Sequence, residues 1–340
     1  MKKIFSLMMV VSMLLLGLAA CAGSTVPTAA PAAPAAPATS VTTAAESALP
    51  IPPSKKVAWV GSNIANEFTT QMAANAVEVG KENGWEVTVF NPASDLSKQI
   101  SQIENAATQG YAAIMVDPVA LDGLAAVIDT VQSNYTIPFL TIHGSVDPAS
   151  QEKLTAFVAV DLTKGGELKM EQVVKDLNGK GNIAIMTGTV GQTTAIMITD
   201  GYDKVLANYP DINVVLKGAA GWNAGEATPL AENWLSSGKQ IDAIVCNNDG
   251  MAMGVKAVLQ SAGLTGTIKL YGLDATPEGR KSLRDGSLNA SILIDSRAEF
   301  VEAFKIINAF YAGEPFAKQI MVTPTLVLKD NVDQLFPNDK

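Results

Sequence analysis

From Lys56 onward the sequence alternates short apolar runs with longer segments whose apolar residues recur every three or four positions. The short runs read as strands buried on both faces, the longer ones as amphipathic helices. Val57–Gly61, Glu86–Phe90, Ala113–Val116 and Phe139–Ile142 are expected strands. Between them Asn66–Asn83 is an expected helix, with Phe68, Met72, Ala76 and Val79 on one face and Gly84 as its stop. Asp95 caps a second helix carrying Ile100, Ile103 and Ala107, and Leu124, Val127, Ile128 and Val131 mark a third. Caps and glycines fall where helix ends need them. Such alternation implies right-handed βαβ units and a parallel sheet.

The pattern then repeats. Lys164–Asn178 reads as a helix closed by Gly179, Asn182–Met186 as a strand, and Tyr202, Val205 and Leu206 as one face of a helix. Asn213–Leu216, Ala243–Cys246 and Ile268–Tyr271 are further strands, separated by helices around Leu230 and Trp234 and around Met251, Val255, Val258 and Leu259. Thr276-Pro277 starts a short helix, proline suiting the first helical position. Ala290–Ile294 reads as a strand, and Ser296 with Glu299 as a capping box before a helix buried through Phe300, Phe304, Ile307 and Phe310. Val322–Leu328 is the last extended run. These late segments exceed what the second array needs, enough to return the chain to the first array and back.

Ligands of open α/β sheets sit beyond the carboxyl ends of the strands, so the residues there are the candidate site. Ser62 and Asn63 follow the first strand, Asp117 the third and His143 the fourth; Thr187 and Thr189, Asn248 and Asp249, Asp274, and Asp295 follow later ones. If the two edges face each other, they line a cleft rich in acceptors and in amides that both donate and accept. Phe68, Trp59 or Trp222 offers an apolar face for a ring, which together makes a polyol site. Plainer readings stand beside these. Asp249 caps the helix that begins near Gly250; Asp117 before Pro118 initiates a turn; Asp274 holds its loop; His143 is a hydrogen-bonded loop residue; Trp59, in mid-strand, belongs to the core.

Charge and composition remove several function classes. The formal charge is −9 over 340 residues, the opposite of the basic face that nucleic acid requires. Arg280, Arg284 and Arg297 are the only arginines, so a bidentate clamp for carboxylate or phosphate is disfavoured. One histidine and two cysteines leave almost nothing for a zinc site, and neither metal nor cofactor is expected. Gly179-Lys180-Gly181 imitates part of a dinucleotide fingerprint but precedes a strand, where the fingerprint must follow one. No phosphate-cradling loop or nucleophile elbow occurs, and catalytic residues are not expected.

At the N-terminus, Lys2-Lys3 precede an apolar run from Ile4 to Ala20, which reads as a secretory signal over residues 1–20. Leu18-Ala19-Ala20-Cys21 resembles the bacterial lipoprotein box, which implies lipid on Cys21 and cleavage before it. Ala, Pro, Thr and Ser dominate the following residues to position 54. That segment cannot bury enough apolar surface to fold and reads as an extended tether. Cys246 is left as a small buried hydrophobe.

The body from about Lys56 to Leu328 resembles the ribose-type periplasmic sugar-binding proteins, the solute receptors of ABC importers. Val60-Gly61-Ser62-Asn63-Ile64-Ala65-Asn66-Glu67-Phe68 is similar to the family's first-strand loop, Asn247-Asn248-Asp249-Gly250-Met251-Ala252-Met253-Gly254 to its Asn-Asp-x-Met-Ala-x-Gly run, and Tyr271-Gly272-Leu273-Asp274-Ala275-Thr276-Pro277 to its Gly-Phe-Asp-Gly-Thr-Pro. The resemblance implies an α/β fold of two Rossmann-like, doubly wound parallel-sheet lobes joined by a three-crossing hinge (periplasmic binding protein type I). The lobes would be 55–160 plus 295–321 and 161–294 plus 322–340. It places Ser62, Asn66, Phe68, Asp117 and His143 on first-lobe contacts and Trp222, Asn248 and Asp274 on second-lobe contacts, with Asp161 and Asp295 near crossings. Two arginines of the ribose-type pattern are absent. His143-Gly144 stands where Asp-Arg is usual, and Ile196 lies in the region of the second. The expected ligand is a neutral sugar or polyol other than ribose, and the expected partner a membrane ABC permease served by a monomer. A receptor feeding a sensor kinase or chemoreceptor, and a secreted carbohydrate hydrolase, are the rival readings.

Overall fold

The computed structural model describes residues 50–339. The signal segment, Cys21 and nearly all of the tether lie outside the described residues.

The first array runs β1 (Lys56–Val60), α1 (Glu67–Glu82), β2 (Glu86–Phe90), α2 (Leu96–Thr108), β3 (Ala113–Val116), α3 (Ala125–Asn134), β4 (Phe139–Ile142), the single turn α4 (Pro148–Gln151) and β5 (Ala156–Val160). The second runs α5 (Leu162–Asp176), β6 (Gly181–Thr187), α6 (Thr193–Leu206), β7 (Ile212–Ala219), α7 (Ala224–Ser236), β8 (Ala243–Cys246), α8 (Asp249–Ser261), β9 (Lys269–Tyr271), α9 (Pro277–Asp285) and β10 (Ser291–Leu293). The chain closes with α10 (Ser296–Ala312), β11 (Gln319–Val322), β12 (Thr325–Val327) and the single turn α11 (Val332–Leu335). This is the expected α/β fold of parallel sheets wrapped by helices.

The first sheet has the order β11-β5-β4-β3-β1-β2, every pair parallel. The second has β7-β6-β8-β9, also parallel. Single bridges from Tyr271 to Ala290 and from Asp274 to Leu293 extend it toward the antiparallel pair β10–β12. Each array therefore reverses strand order between its first and third strands, β1/β3 in one and β6/β8 in the other. Those reversals open crevices at the strand carboxyl ends.

Three segments pass between the arrays: Val160 to Leu162, Leu293 to Ser296, and Val322 to Thr325. Helix α10 packs Phe300, Phe304 and Ile307 into the first array with Trp59 and Val79. Burying each of these side chains is worth roughly 1.5–3 kcal/mol over leaving it exposed. In the second array α5 and α6 approach so closely that a Cβ at Gly166 would lie 2.3 Å from Ile198 O, and one at Gly201 2.2 Å from Thr163 O.

Local rules failed at four places. Strand β5, a buried run of five residues, was not among the expected strands. The run 322–328 is not one strand: it takes in the last residue of β11, which pairs with β5, and, past Pro324, β12, which pairs with β10. Ser296 and Glu299 form no capping box. Asp295 is the cap, accepting from Ala298 N, Ser296 Oγ accepts from Asn75 Nδ2 at 2.9 Å, and Glu299 is fully buried. Nor does Asp249 cap α8. Asn248 does, through Met251 N at 2.9 Å.

Candidate functional site

A cavity of about 320 Å³ lies where the strand carboxyl ends of the two arrays meet. From the first array come Ser62, Asn63, Asn66, Phe68, Asp117 and His143; from the second, Trp222, Asn248 and Asp274. Asp295 does not join them. It is exposed and spends its carboxylate on the α10 cap, as its place at the first residues of a helix dictates. Trp59 lies in the core at 1% exposure, edge-on to Phe300.

Short backbone segments fix the first-array groups. Ser62 donates to Asp117 Oδ2 at 2.5 Å, tying the end of β1 to the end of β3 across the switch point. Gln99 Nε2, from α2, donates to both Gly61 O and Asp117 O at 2.9 and 2.8 Å. Asp117 Oδ1 is buried without a protein partner among the described residues. Burial, opposed by His143 and by the Ser62 hydroxyl, raises the Asp117 carboxyl above its ordinary range. Asn66 accepts from Thr69 N as the cap of α1, which turns Phe68 toward His143 with ring centres 5.2 Å apart.

On the other side, Trp222 rests against Gly188, where a Cβ would come within 2.0 Å of the indole. Its Nε1 donates to Gln192 Oε1 at 2.7 Å, and its carbonyl accepts from Asn248 Nδ2 at 3.1 Å. Asn248 thus caps a helix and steadies the tryptophan at once. Asp249 lies behind the cavity. Its carboxylate takes Ser291 Oγ and Thr276 N, each at 2.8 Å, and Gly272 and Gly279 leave room for it. Ser291 Oγ also accepts from Ala275 N at 3.0 Å, so this buried carboxylate holds the loop that presents Asp274. Burial raises Asp274 well above the ordinary carboxyl range, and neighbouring Asp249 adds to it.

Four cavity residues without glycine's freedom adopt left-handed backbone: Ser94 at φ 64°, His143 at φ 70°, Trp222 at φ 66° and Asp274 at φ 112°. Strain of this kind costs of order 1–3 kcal/mol per residue and collects at binding sites.

The arrays also touch beside the cavity. Thr193 Oγ1 donates to Ser145 O at 3.2 Å, and Phe68 packs against apolar side chains of both arrays. The two arrays therefore meet at the rim of the cavity.

Sequence reasoning missed two buried charges behind this lining. Glu299 Oε1 accepts from Val160 N at 2.7 Å and lies 3.3 Å from His143 Nδ1. Lys169 donates from Nζ to Cys246 O at 2.6 Å, and burial lowers it to about 7. Each interrupts an apolar helix stripe, which was the available signal. Among the described residues no group of three or more His, Cys, Asp or Glu could hold a metal ion, and no helix is long and apolar enough to cross a membrane.

Residues 57–315 match the periplasmic binding protein domain family. The chain is 32% identical over 269 residues to the xylitol-binding protein of Mycolicibacterium smegmatis, covering 79% of this chain and 76% of that one. It is 28% identical to the putative rhizopine-binding protein of Rhizobium meliloti, over 80% of this chain and 91% of the other. Among solved structures, an ABC transporter solute-binding protein from Bacillus halodurans with bound myo-inositol superimposes with a TM-score of 0.78 at 31% identity, spanning 84% of this chain and 98% of that one. The sheet order, the paired switch points and these likenesses agree: the chain belongs to the periplasmic binding protein domain family.

Proposed function

We propose that the protein is the extracytoplasmic solute-binding component of an ABC importer, and that it captures one neutral sugar or polyol between its two lobes. One observation carries the reading. A monosaccharide-sized cavity at both switch points is lined by Asp117, Asn248 and Asp274, with Phe68 and Trp222 as apolar faces. Carboxylates and amides of this kind hold hydroxyl groups, and the aromatic rings take the C–H face of the ligand. A cavity of about 320 Å³ is at the small end for ligand sites, which favours a single sugar or polyol over an oligosaccharide.

The charge pattern supports neutrality. Arg280 pairs with Asp339, Arg284 with Asp333 and Arg297 with Glu82, so all three arginines are engaged elsewhere. His143 is the one basic side chain on the lining, against Asp117, Glu226 and Asp274. Relatives named for xylitol binding, or solved with myo-inositol, point toward alditols and cyclitols. Closure would proceed by bending at the three crossings. Lipid on Cys21 would hold the body near its permease.

Titration calorimetry with xylitol, myo-inositol, ribose and a sugar phosphate tests this. Binding of a neutral polyol, at least about tenfold tighter than any phosphate ester, is expected (about 1.4 kcal/mol). Preference for the ester, or no heat across a broad neutral panel, overturns it.

A further inference from the structure

We propose that Glu299 is a positioning residue of the ligand site: it fixes the His143 imidazole through Nδ1, presents Nε2 to the bound solute, and ties that ring to the lobe crossings. The inference rests on the cavity being the ligand site.

Glu299 has no solvent exposure. Its Oε1 accepts from Val160 N at 2.7 Å, one residue before Asp161 on the first crossing, and approaches His143 Nδ1 at 3.3 Å. Its Oε2 has no protein partner among the described residues. The residue lies in the first turn of α10, directly after the second crossing. One carboxylate oxygen therefore joins two of the three crossings to a ring on the cavity wall. With Nδ1 committed, Nε2 is the imidazole's remaining polar atom, and Phe68 packs beside the ring with centres 5.2 Å apart.

A buried carboxylate without a compensating cation is costly. No lysine or arginine lines the cavity, so the imidazolium is the available counter-charge. Three carboxylates face His143: Glu299 from α10, Asp117 from the end of β3, and Asp274 from the loop after β9. Burial disfavours the charged ring, but Glu299, by charge and hydrogen bond, with Asp117 and Asp274, outweighs it and raises His143 to about 9. The ring then serves as a fixed donor toward a solute hydroxyl throughout the neutral range, in a wall otherwise dominated by acceptors. A neutral imidazole could instead put its proton on either nitrogen.

The test uses Glu299→Gln, which keeps an acceptor for Val160 N and removes the charge. His143 is the only histidine in the chain, so its labelled ring gives one assignable NMR signal. In the ligand-free protein its titration midpoint should fall by on the order of two pH units. Affinity for whichever polyol binds the parent should fall about tenfold at pH 8 and less at pH 6. In a His143→Gln background the same change should alter affinity less than about twofold, since coupling is lost with the ring. An unchanged His143 titration, or an undiminished effect of Glu299→Gln in the His143→Gln background, overturns the proposal. Should Glu299→Gln not fold, Glu299→Asp is measured in the same way. It retains charge but cannot reach both partners, so a midpoint equal to the parent's refutes the role. The titration needs no ligand. Its failure is thus separate from failure of the solute-binding reading, which absence of all polyol binding by the parent would show.

Discussion

Trp222 lies flat on Gly188, with no room between the indole and that backbone for even a methyl group. The contact helps set where the second array offers its apolar face, together with packing against the second-array core and single hydrogen bonds with Gln192 and Asn248. Gly188→Ala should push the ring into the cavity. Overpacking of this sort costs about 1–3 kcal/mol, and solute affinity should fall at least about tenfold by calorimetry. Unchanged affinity would show that the ring position does not matter.

Asp274→Asn should stabilise the ligand-free protein while weakening binding. The folded carboxyl holds its proton above the ordinary range, chiefly because it is buried. Between the unfolded and folded values the folded state binds more protons, so stability falls as pH rises through that window. Above the folded value the ionised group is a liability until a ligand meets it. Asparagine tolerates positive φ and removes the charge. A gain of about 1 kcal/mol in urea unfolding is expected, with about tenfold poorer binding. A loss of stability would contradict the account.

Lys169 predicts the opposite slope. Folded, it loses its proton near 7; unfolded, only near 10.5. Between those values the unfolded chain binds the extra proton, so stability rises with pH. Urea unfolding at pH 7 and pH 9.5 should show the parent gaining roughly 3 kcal/mol that Lys169→Met does not gain. Parallel pH profiles would mean that the ammonium is better solvated than its burial implies.

Asn248 separates folding from recognition. Asn248→Ala removes the α8 cap and the bond to Trp222 O, so it should cost about 1 kcal/mol of stability as well as affinity. Asn248→Asp keeps an acceptor for Met251 N but loses the donor. It should unfold close to the parent's midpoint and still bind several-fold more weakly. Equal stability losses in both variants would sink this division of labour.

The strand ends were legible because period and position are set directly by the chain. A run such as Ala243–Cys246 can only be a buried strand, and the residues after it, Asn247 to Asp249, can only stand at the sheet edge. Phe68 and Trp222 could be placed for the same reason, one at a helix start and the other in a glycine-rich loop. What failed was arbitration between local and distant partners. Ser296 and Glu299 have the spacing of a capping box, yet Glu299 turns inward because Val160 N and His143 need an acceptor. Asp249 sits where a cap is expected, yet Ser291 and Thr276, distant in sequence, claim its carboxylate. Asp295 was drawn into the site by its position after a strand, whereas the helix that begins at the next residue takes it. Tertiary hydrogen bonds to residues dozens of positions away leave no periodic trace.

Cys246 is wholly enclosed within the second array, its thiol pushed up to about 12 by burial, and apart from Cys21 it is the only sulfhydryl the chain has. Thiolate is the reacting form, so maleimide chemistry should pass it by. A cysteine introduced at exposed Val190, two residues from Gly188 in the loop that carries Thr189 and Gln192 of the cavity wall, would then be the single labelling point of the body. A dye attached there would turn this receptor into an optical reporter of its own occupancy.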